Sequence, residues 1–319
     1  MKSPPRVLVI RGGAIGDFIL TLPAMRLLRE MIPNCHLEVM GYLSIASLAQ
    51  SAGLADSVRS LDHRTMAALF AKNAPIDEAL AEHLKSFNLI VSYLFDPDGH
   101  FRASMERIGV QTLIECSHRV QPDQGHASRQ LAKPLEKLAL FLEDIHLQAA
   151  YFERREVIPS RLAIHLGSGS EKKNWPLERW LALANDFRDH EVIFITGEAE
   201  QDRGVCSSGF SPLITNWHSL PLPELAGRLS TCAAFLGHDS GISHLAAACG
   251  VPSLLLFGPT DPAVWAPPQP WITILRAENG NLASLDDQQV KWAARQVVSK
   301  TQRANQVAIK PSSEVRSHT

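Results

Sequence analysis

The chain has 319 residues, 45% hydrophobic and 20% charged, which suffices for ordinary globular cores and exceeds the length at which single cores stop growing, so two domains are expected. A net charge of −2 excludes the cationic excess that non-specific nucleic-acid binding requires. No run of roughly 18 uncharged apolar residues is present to span a bilayer, and the apolar stretch Val7–Ile10 is too short for a signal peptide.

Strand-like and helix-like segments alternate, the pattern of parallel sheets covered by helices. In the first half, strands are predicted at 6–11, 36–42, 57–61, 89–94 and 112–116. Helices are predicted at 16–32, 44–52, 76–87 and 98–108, then a long one at 126–146. Its Leu131, Leu135, Leu138, Leu142 and Ile145 share one face at helical spacing. The charged, proline-containing ERREVIPSR near 150–160 reads as a linker. A second series follows, with strands at 161–166, 191–196, 213–217, 233–238, 252–257 and 271–276, and helices at 177–188, 199–206, 222–231 and 241–249. A last helix at 284–299 precedes a polar tail, 301–319, expected to be disordered. The expected fold class is α/β: two doubly wound parallel-sheet domains, 1–155 and 156–300, facing one another. Five cysteines, Cys35, Cys116, Cys206, Cys232 and Cys249, are scattered and never form CxxC, as reduced core thiols in a cytoplasmic protein would be.

Ligands of such sheets bind outside the carboxyl ends of strands, so the loops after strands carry the functional signal. The first is RGGAIGD. A dinucleotide fingerprint needs glycine at three positions, and Arg11 stands where the first belongs, so the fingerprint fails. Asp17, at a helix start, has a plain reading as a residue complementing the helix dipole, and Arg11 would point into the same cleft. The second is HLGSGSEKKNWPLERW, where small residues allow close backbone approach and Lys172 and Lys173 bring positive charge. A solvated basic loop is the ordinary alternative. The third, TGEAEQ, offers Glu198 and Glu200 to ribose hydroxyls or, equally, to a helix's first turn.

The fourth loop is the strongest. In FLGHDSGISHLAAACGVPSLLLFGPTDPAVW a strand ends at His238 and Asp239-Ser240-Gly241-Ile242 opens a small-residue helix, an anion site by its free N–H groups. His244 lies one turn in. Metal ligation by these Asp and His residues lacks HxH or HExxH spacing, so no metal is expected.

Together these residues resemble the family-9 glycosyltransferases, whose best-known members are the ADP-heptose:lipopolysaccharide heptosyltransferases. The family pattern is matched by Gly16-Asp17 with Thr21-Leu22-Pro23, by Lys173-Asn174-Trp175-Pro176, by Asp239-Ser240-Gly241-Ile242-Ser243-His244, and by Phe257-Gly258-Pro259-Thr260-Asp261-Pro262. Their order and spacing cover nearly the whole chain, and the last two motifs together are specific. The resemblance implies a GT-B fold of two Rossmann-like domains across a cleft, the acceptor on the first and the nucleotide sugar on the second. It implies inverting, metal-independent transfer of heptose from an ADP-linked donor, with no cofactor, to a lipopolysaccharide-core or related saccharide or glycolipid acceptor. It makes Asp17 the general base and puts Arg11, Gly12 and Gly13 on the acceptor side. Lys173 and the helix start at 240–242 would hold the diphosphate, with Asp239 and His244 beside them, and Glu198 or Glu200 the ribose. The implied setting is cytoplasmic, with peripheral contact at the inner membrane's cytoplasmic face and no nucleic-acid partner. The last helix would return across the cleft and tether the halves.

The chain also departs from the family. Gly12, Gly13 and Ala14 replace the small hydroxyl residues often found in that loop, and 60–125 shows no matching pattern. Two other readings stand beside the transferase. One is a GT-B epimerase or phosphorylase acting on the donor; the other is a non-catalytic nucleotide-sugar-binding relative. A dehydrogenase is disfavoured by the failed fingerprint.

Overall fold

Strands that are apolar on both faces demand cover on both sides, and the chain supplies it with helices. RVLVI is buried along nearly its whole length and CAAFLGH along all of it. The computed structural model describes residues 4–62, 64–204 and 214–308. Its first half runs β1 (Arg6–Ile10), α1 (Ile15–Ile19), α2 (Leu22–Met31), β2 (His36–Gly41), α3 (Leu43–Ser51), β3 (Ser57–Ser60), α4 (Arg64–Ala67), α5 (Glu78–Lys85), β4 (Leu89–Ser92), α6 (His100–Ile108), β5 (Leu113–Glu115), α7 (Ala127–Ala132) and α8 (Asp144–Leu147). The second half runs β6 (Ile158–His165), α9 (Leu177–Asn185), β7 (Glu191–Thr196), α10 (Glu198–Asp202), β8 (Thr215–His218), α11 (Leu222–Leu229), β9 (Cys232–His238), α12 (Gly241–Ala248), β10 (Ser253–Phe257), α13 (Pro262–Trp265), β11 (Ile272–Arg276) and α14 (Asp287–Ala308).

The strands form two parallel sheets, ordered β3-β2-β1-β4-β5 and β11-β10-β9-β6-β7-β8. Strand order reverses between β1 and β4 in the first sheet and between β6 and β9 in the second. Ligand crevices open at such reversals, beyond the carboxyl ends of the strands. The loops after β1 and β9, which carry Asp17 and Asp239, leave the sheets at these two points.

Two predicted helices are broken, each by proline. The segment 16–32 becomes α1 and α2, because Pro23 has no N–H to continue the first ladder and sits in the first turn of the second. Thr21 Oγ1 fills the gap by donating to the Asp17 carbonyl at 2.8 Å. The segment 126–146 becomes α7, a 3₁₀ turn over Lys133–Leu138 opened by Pro134 and ended by Ala139 at φ +57°, and α8. Its supposed single face dissolves accordingly: Leu131 and Leu135 are buried, whereas Ile145 is 68% exposed. α4 was not anticipated. α10 ends at Asp202, short of the helix expected to 206, with Arg203 and Gly204 in a turn; 205–206, with Cys206, and the start of the strand expected from 213 lie outside the described residues. The other four cysteines are free and buried, as expected.

The last helix corrects two expectations. It continues through Ala308, so 301–308 are helical, while 309–319 lie outside the described residues. Through Val298 it packs on the second sheet with Val290, Ala293, Ala294 and Val297, burying an apolar stripe against β6, β9 and β10 rather than crossing the cleft.

What joins the halves is a shared core and a head-on contact of helices. One apolar cluster runs from Val7, Val9 and Leu37 of the first sheet to Phe235, Leu245 and Phe257 of the second half. The chain from 126 to 152 is fastened to the second half by the His126 imidazole against the Ala266 carbonyl, Gln269 Nε2 on the Ala149 carbonyl, and the Tyr151 and Phe152 N–H groups on the Ala248 carbonyl. At the cleft, α1 and α12 meet at glycines. A Cβ built on Gly241 would lie 2.7 Å from Ile15 Cβ and 3.0 Å from the Gly16 nitrogen. No helix of the described residues is long and apolar enough to cross a membrane.

That contact yields a test. Gly241→Ala puts a methyl where backbone already sits, and overpacking of this kind costs about 1–3 kcal/mol. The expected outcome is a lower melting temperature and a larger radius of gyration in small-angle scattering. Gly16→Ala, whose Cβ would meet the His244 ring at 3.4 Å and Gly241 Cα at 3.6 Å, should be milder.

Candidate functional site

The site is built from the loops at the carboxyl ends of both sheets and from the starts of α1 and α12. Beyond β1, Gly13 takes φ +99°, which only glycine adopts without strain, and this turn brings Asp17 to the cleft. Ala14 is the N-cap of α1 and makes no side-chain cap bond, so the hydroxyl missing from this loop leaves the helix start uncovered. Gly12 faces Leu61 at the end of the neighbouring β3 edge. Asp17 is half-buried, with its side chain 39% exposed.

Arg11 departs from the expected picture: it is buried rather than projecting into the cleft. Its guanidinium lies 3.9 Å from the Asp17 carboxylate, donates to the Asp17 carbonyl at 3.4 Å, and sits 5.2 Å from the Tyr93 ring centroid. Burial works against its charge, and Asp17 offsets that first. Arg11 is therefore a fixed cation behind the carboxylate.

Opposite stands the Asp239 carboxylate. Asp239 is buried at the end of β9, and its Oδ2 accepts from Lys173 Nζ and from Thr260 Oγ1, each at 2.7 Å. Three of the recognised motifs converge on this one oxygen. Thr260 was not singled out from the sequence, although the turn that carries it was. Ser240 caps α12 by accepting from the Ser243 N–H at 3.3 Å. The N–H groups of Gly241 and Ile242, first in the helix, have no carbonyl a turn earlier to bond, so they face outward as donors.

Two lobes of open space flank the Gly16–Gly241 contact. One, about 350 Å³, is bounded by Asp17, Lys173, Asp239, His244, Thr260 and Trp265. The other, about 420 Å³, runs from Gly169, Ser240 and Ile242 to an apolar end made by Ile195, Trp217, Leu220 and Leu222, with Glu198 and Glu200 at its side. Ser219 lines the second lobe at φ +46°, a strained conformation for serine of the kind found at ligand sites. Trp217 and Ser219 gave no motif to find them by.

The two glutamates separate. Glu200 is buried, accepts from the Gly197 N–H at 2.7 Å through Oε2, and has its other oxygen 3.9 Å from His165 Nε2. Glu198 is exposed. Glu200 fits only because residue 167 is glycine: a Cβ there would lie 2.0 Å from Glu200 Oε1.

Three buried histidines stiffen the second half's wall. His238 Nε2 accepts from the Trp175 N–H at 2.8 Å and the Trp180 indole at 3.0 Å, so its proton is on Nδ1, facing the Gly167 carbonyl. His165 Nδ1 lies 3.1 Å from Ser240 Oγ, bracing the α12 cap. His244 packs beneath Gly16 and borders the smaller lobe. Among the described residues no three His, Cys, Asp or Glu side chains assemble as a metal site.

Comparison with known proteins follows from this geometry. The profile of Glycosyltransferase family 9 (heptosyltransferase) matches residues 126–293. Lipopolysaccharide heptosyltransferase 1 of Pseudomonas aeruginosa is 39% identical over 97 residues, covering 28% of this chain and 26% of that protein, so the match spans about a quarter of the relative's length. A family-9 glycosyltransferase structure from Veillonella parvula superposes with TM-score 0.72 at 19% identity, covering 93% of this chain and 97% of that one. The E. coli heptosyltransferase WaaC with ADP gives 0.68 at 20%, covering 92% and 99%. These structural likenesses show the fold, the two-sheet GT-B arrangement.

The histidines set a pH dependence. Burial pushes His165 down to about 3, and His238 and His244 to about 4, the last against the pull of Asp239 and Asp17. Unfolded histidine titrates near ~6.5, so between about pH 4 and 6.5 the unfolded chain binds more protons. Stability therefore rises with pH across that window and falls on acidification, by roughly 1 kcal/mol per pH unit for each histidine. Urea unfolding at pH 7, 6 and 5 should show a falling midpoint. A flat midpoint would mean these imidazoles are not neutral and buried.

Proposed function

The chain belongs to glycosyltransferase family 9, and on that premise we propose that it transfers heptose from an ADP-linked donor to a lipopolysaccharide-core or related saccharide acceptor. The observation that carries this reading is the opposition, within one lobe, of the Asp17 carboxylate and the Lys173–Asp239–Thr260 cluster beside the start of α12. In this reading the larger lobe takes the nucleotide, its base against Trp217 and Leu222 and its ribose near the glutamates. The exposed Glu198 is the freer of the two, since one oxygen of Glu200 already caps its own helix.

The chemistry follows from charge. An acceptor hydroxyl attacks the anomeric carbon, its proton passes to an Asp17 oxygen, and the bond to the diphosphate breaks on the opposite face with inversion. The departing diphosphate carries the bonding pair as negative charge. Lys173 and the Gly241 and Ile242 N–H groups are positioned to stabilise it without a metal. Asp239 and Thr260 hold the lysine so that little reorganisation accompanies reaction. Arg11 holds a positive charge 3.9 Å behind the Asp17 carboxylate and fixes the side of the cleft from which it is approached. The same reading has the enzyme act in the cytoplasm, with peripheral contact at the inner membrane.

Two measurements test it. A panel of nucleotide sugars should show stabilisation by the ADP-linked sugar, about 2.7 kcal/mol at 100 times its dissociation constant. Asp17→Asn keeps the shape and removes the base, so turnover should fall roughly 10²–10⁴-fold with donor affinity nearly intact. Near-normal turnover in that variant would leave Asp17 as a helix-dipole residue.

A further inference from the structure

The first sheet's reversal point has a second wall that no recognised motif touches. β4 lies beside β1, with Ser92 opposite Ile10, and β5 lies beyond it, with Ser92 opposite Glu115. The loops leaving β4 and β5 therefore open on the same edge as the loop carrying Asp17. Tyr93, the first residue of the β4 loop, donates its N–H to the Ile10 carbonyl at 3.0 Å and lies under the Arg11 guanidinium. Two residues on, Phe95 turns outward and is 60% exposed.

Phe95 is held. Leu94 on one side packs on the apolar cluster beneath the sheet, and Asp96 on the other accepts from the Phe101 and Arg102 N–H groups at the start of α6. From the β5 loop His118 meets the Phe95 ring, centroids 4.3 Å apart and planes at 50°. Ser117 ties that loop, its Oγ taking the Arg119 N–H at 3.3 Å. Desolvation, with the charges of Arg119 and Arg11 after it, holds the His118 pKa below its ordinary value.

A lone exposed apolar side chain on a surface needs no explanation. This one is fixed on both flanks, braced by a second ring, and stands at the crevice where ligands of such sheets bind. The face of an aromatic ring is electronegative, and the C–H face of a sugar ring presents the complementary partial charges. We infer that Phe95, braced by His118, is the platform on which the acceptor's sugar ring rests while its hydroxyl is presented to Asp17. This rests on the transferase reading and adds a substrate-contacting residue to its acceptor side. Holding the ring in one plane fixes the approach of the hydroxyl, a positioning effect distinct from proton removal.

The test measures acceptor and donor separately on the full chain. The probe is a de-acylated lipopolysaccharide-core oligosaccharide, its binding read by titration calorimetry without donor. Phe95→Ala should weaken that binding about tenfold, Phe95→Trp should restore it, and His118→Ala should weaken it less. In turnover assays Phe95→Ala should raise the acceptor KM while leaving the donor KM alone. Equal oligosaccharide affinity in wild type and Phe95→Ala overturns the platform, as does a wild type that does not bind the oligosaccharide. Titration with the ADP-linked sugar judges the transferase reading independently: failure of the wild type to bind it overturns that reading, whereas donor binding with an unaffected Phe95→Ala overturns the platform alone.

Discussion

The two halves turn on the close approach of α1 and α12: a Cβ on Gly241 would collide with Ile15 Cβ and the Gly16 backbone nitrogen. Each helix start carries partial positive charge and unpaired N–H groups, so two such ends face to face repel one another in isolation. The surrounding arrangement supplies the offset. Asp17 lies in the first turn of α1 and Asp239 just before α12. Glycine at both contact points lets the two lobes communicate across a seam one backbone thick. Under the proposed transfer, that seam is where a donor held by one half and an acceptor held by the other would meet.

Charge in the second half is organised around a single oxygen. Asp239 Oδ2 takes a lysine and a threonine from loops far apart in sequence, which neutralises a buried carboxylate and fixes a cation at the same time. Behind it stands a layer of neutral imidazoles and indoles. His238 takes hydrogen bonds from Trp175 and Trp180, and His165 from or to the Ser240 cap.

The strands were legible because parallel strands buried on both faces read as uninterrupted apolar runs, and the motifs because their glycines and acids sit in consecutive loops. The errors were also local in cause. Helical periodicity at 16–32 and 126–146 was real, but Pro23 and Pro134 outweighed it. What the sequence could not show is convergence over distance. Thr260 reaches Asp239 from the next strand's loop, and nothing in its neighbours says so. Glu198 and Glu200 look equivalent in TGEAEQ, and the difference between them is decided by Gly167, which leaves the space that Glu200 fills. Ser219 takes a left-handed backbone without being glycine or asparagine, so composition gave no sign of it.

The stretch from His126 to Phe152 precedes the second sheet, yet it is stitched to that half at both ends, through Ala266 and through Ala248, while its middle leans on α2 by the His146–Glu30 contact. It is a clasp belonging to one half and gripping the other. For anyone exchanging N-terminal halves between relatives, the natural seam therefore lies ahead of His126: a graft joined there carries the clasp along with the half it is sewn to, and one joined at the visible linker near 155 tears it out.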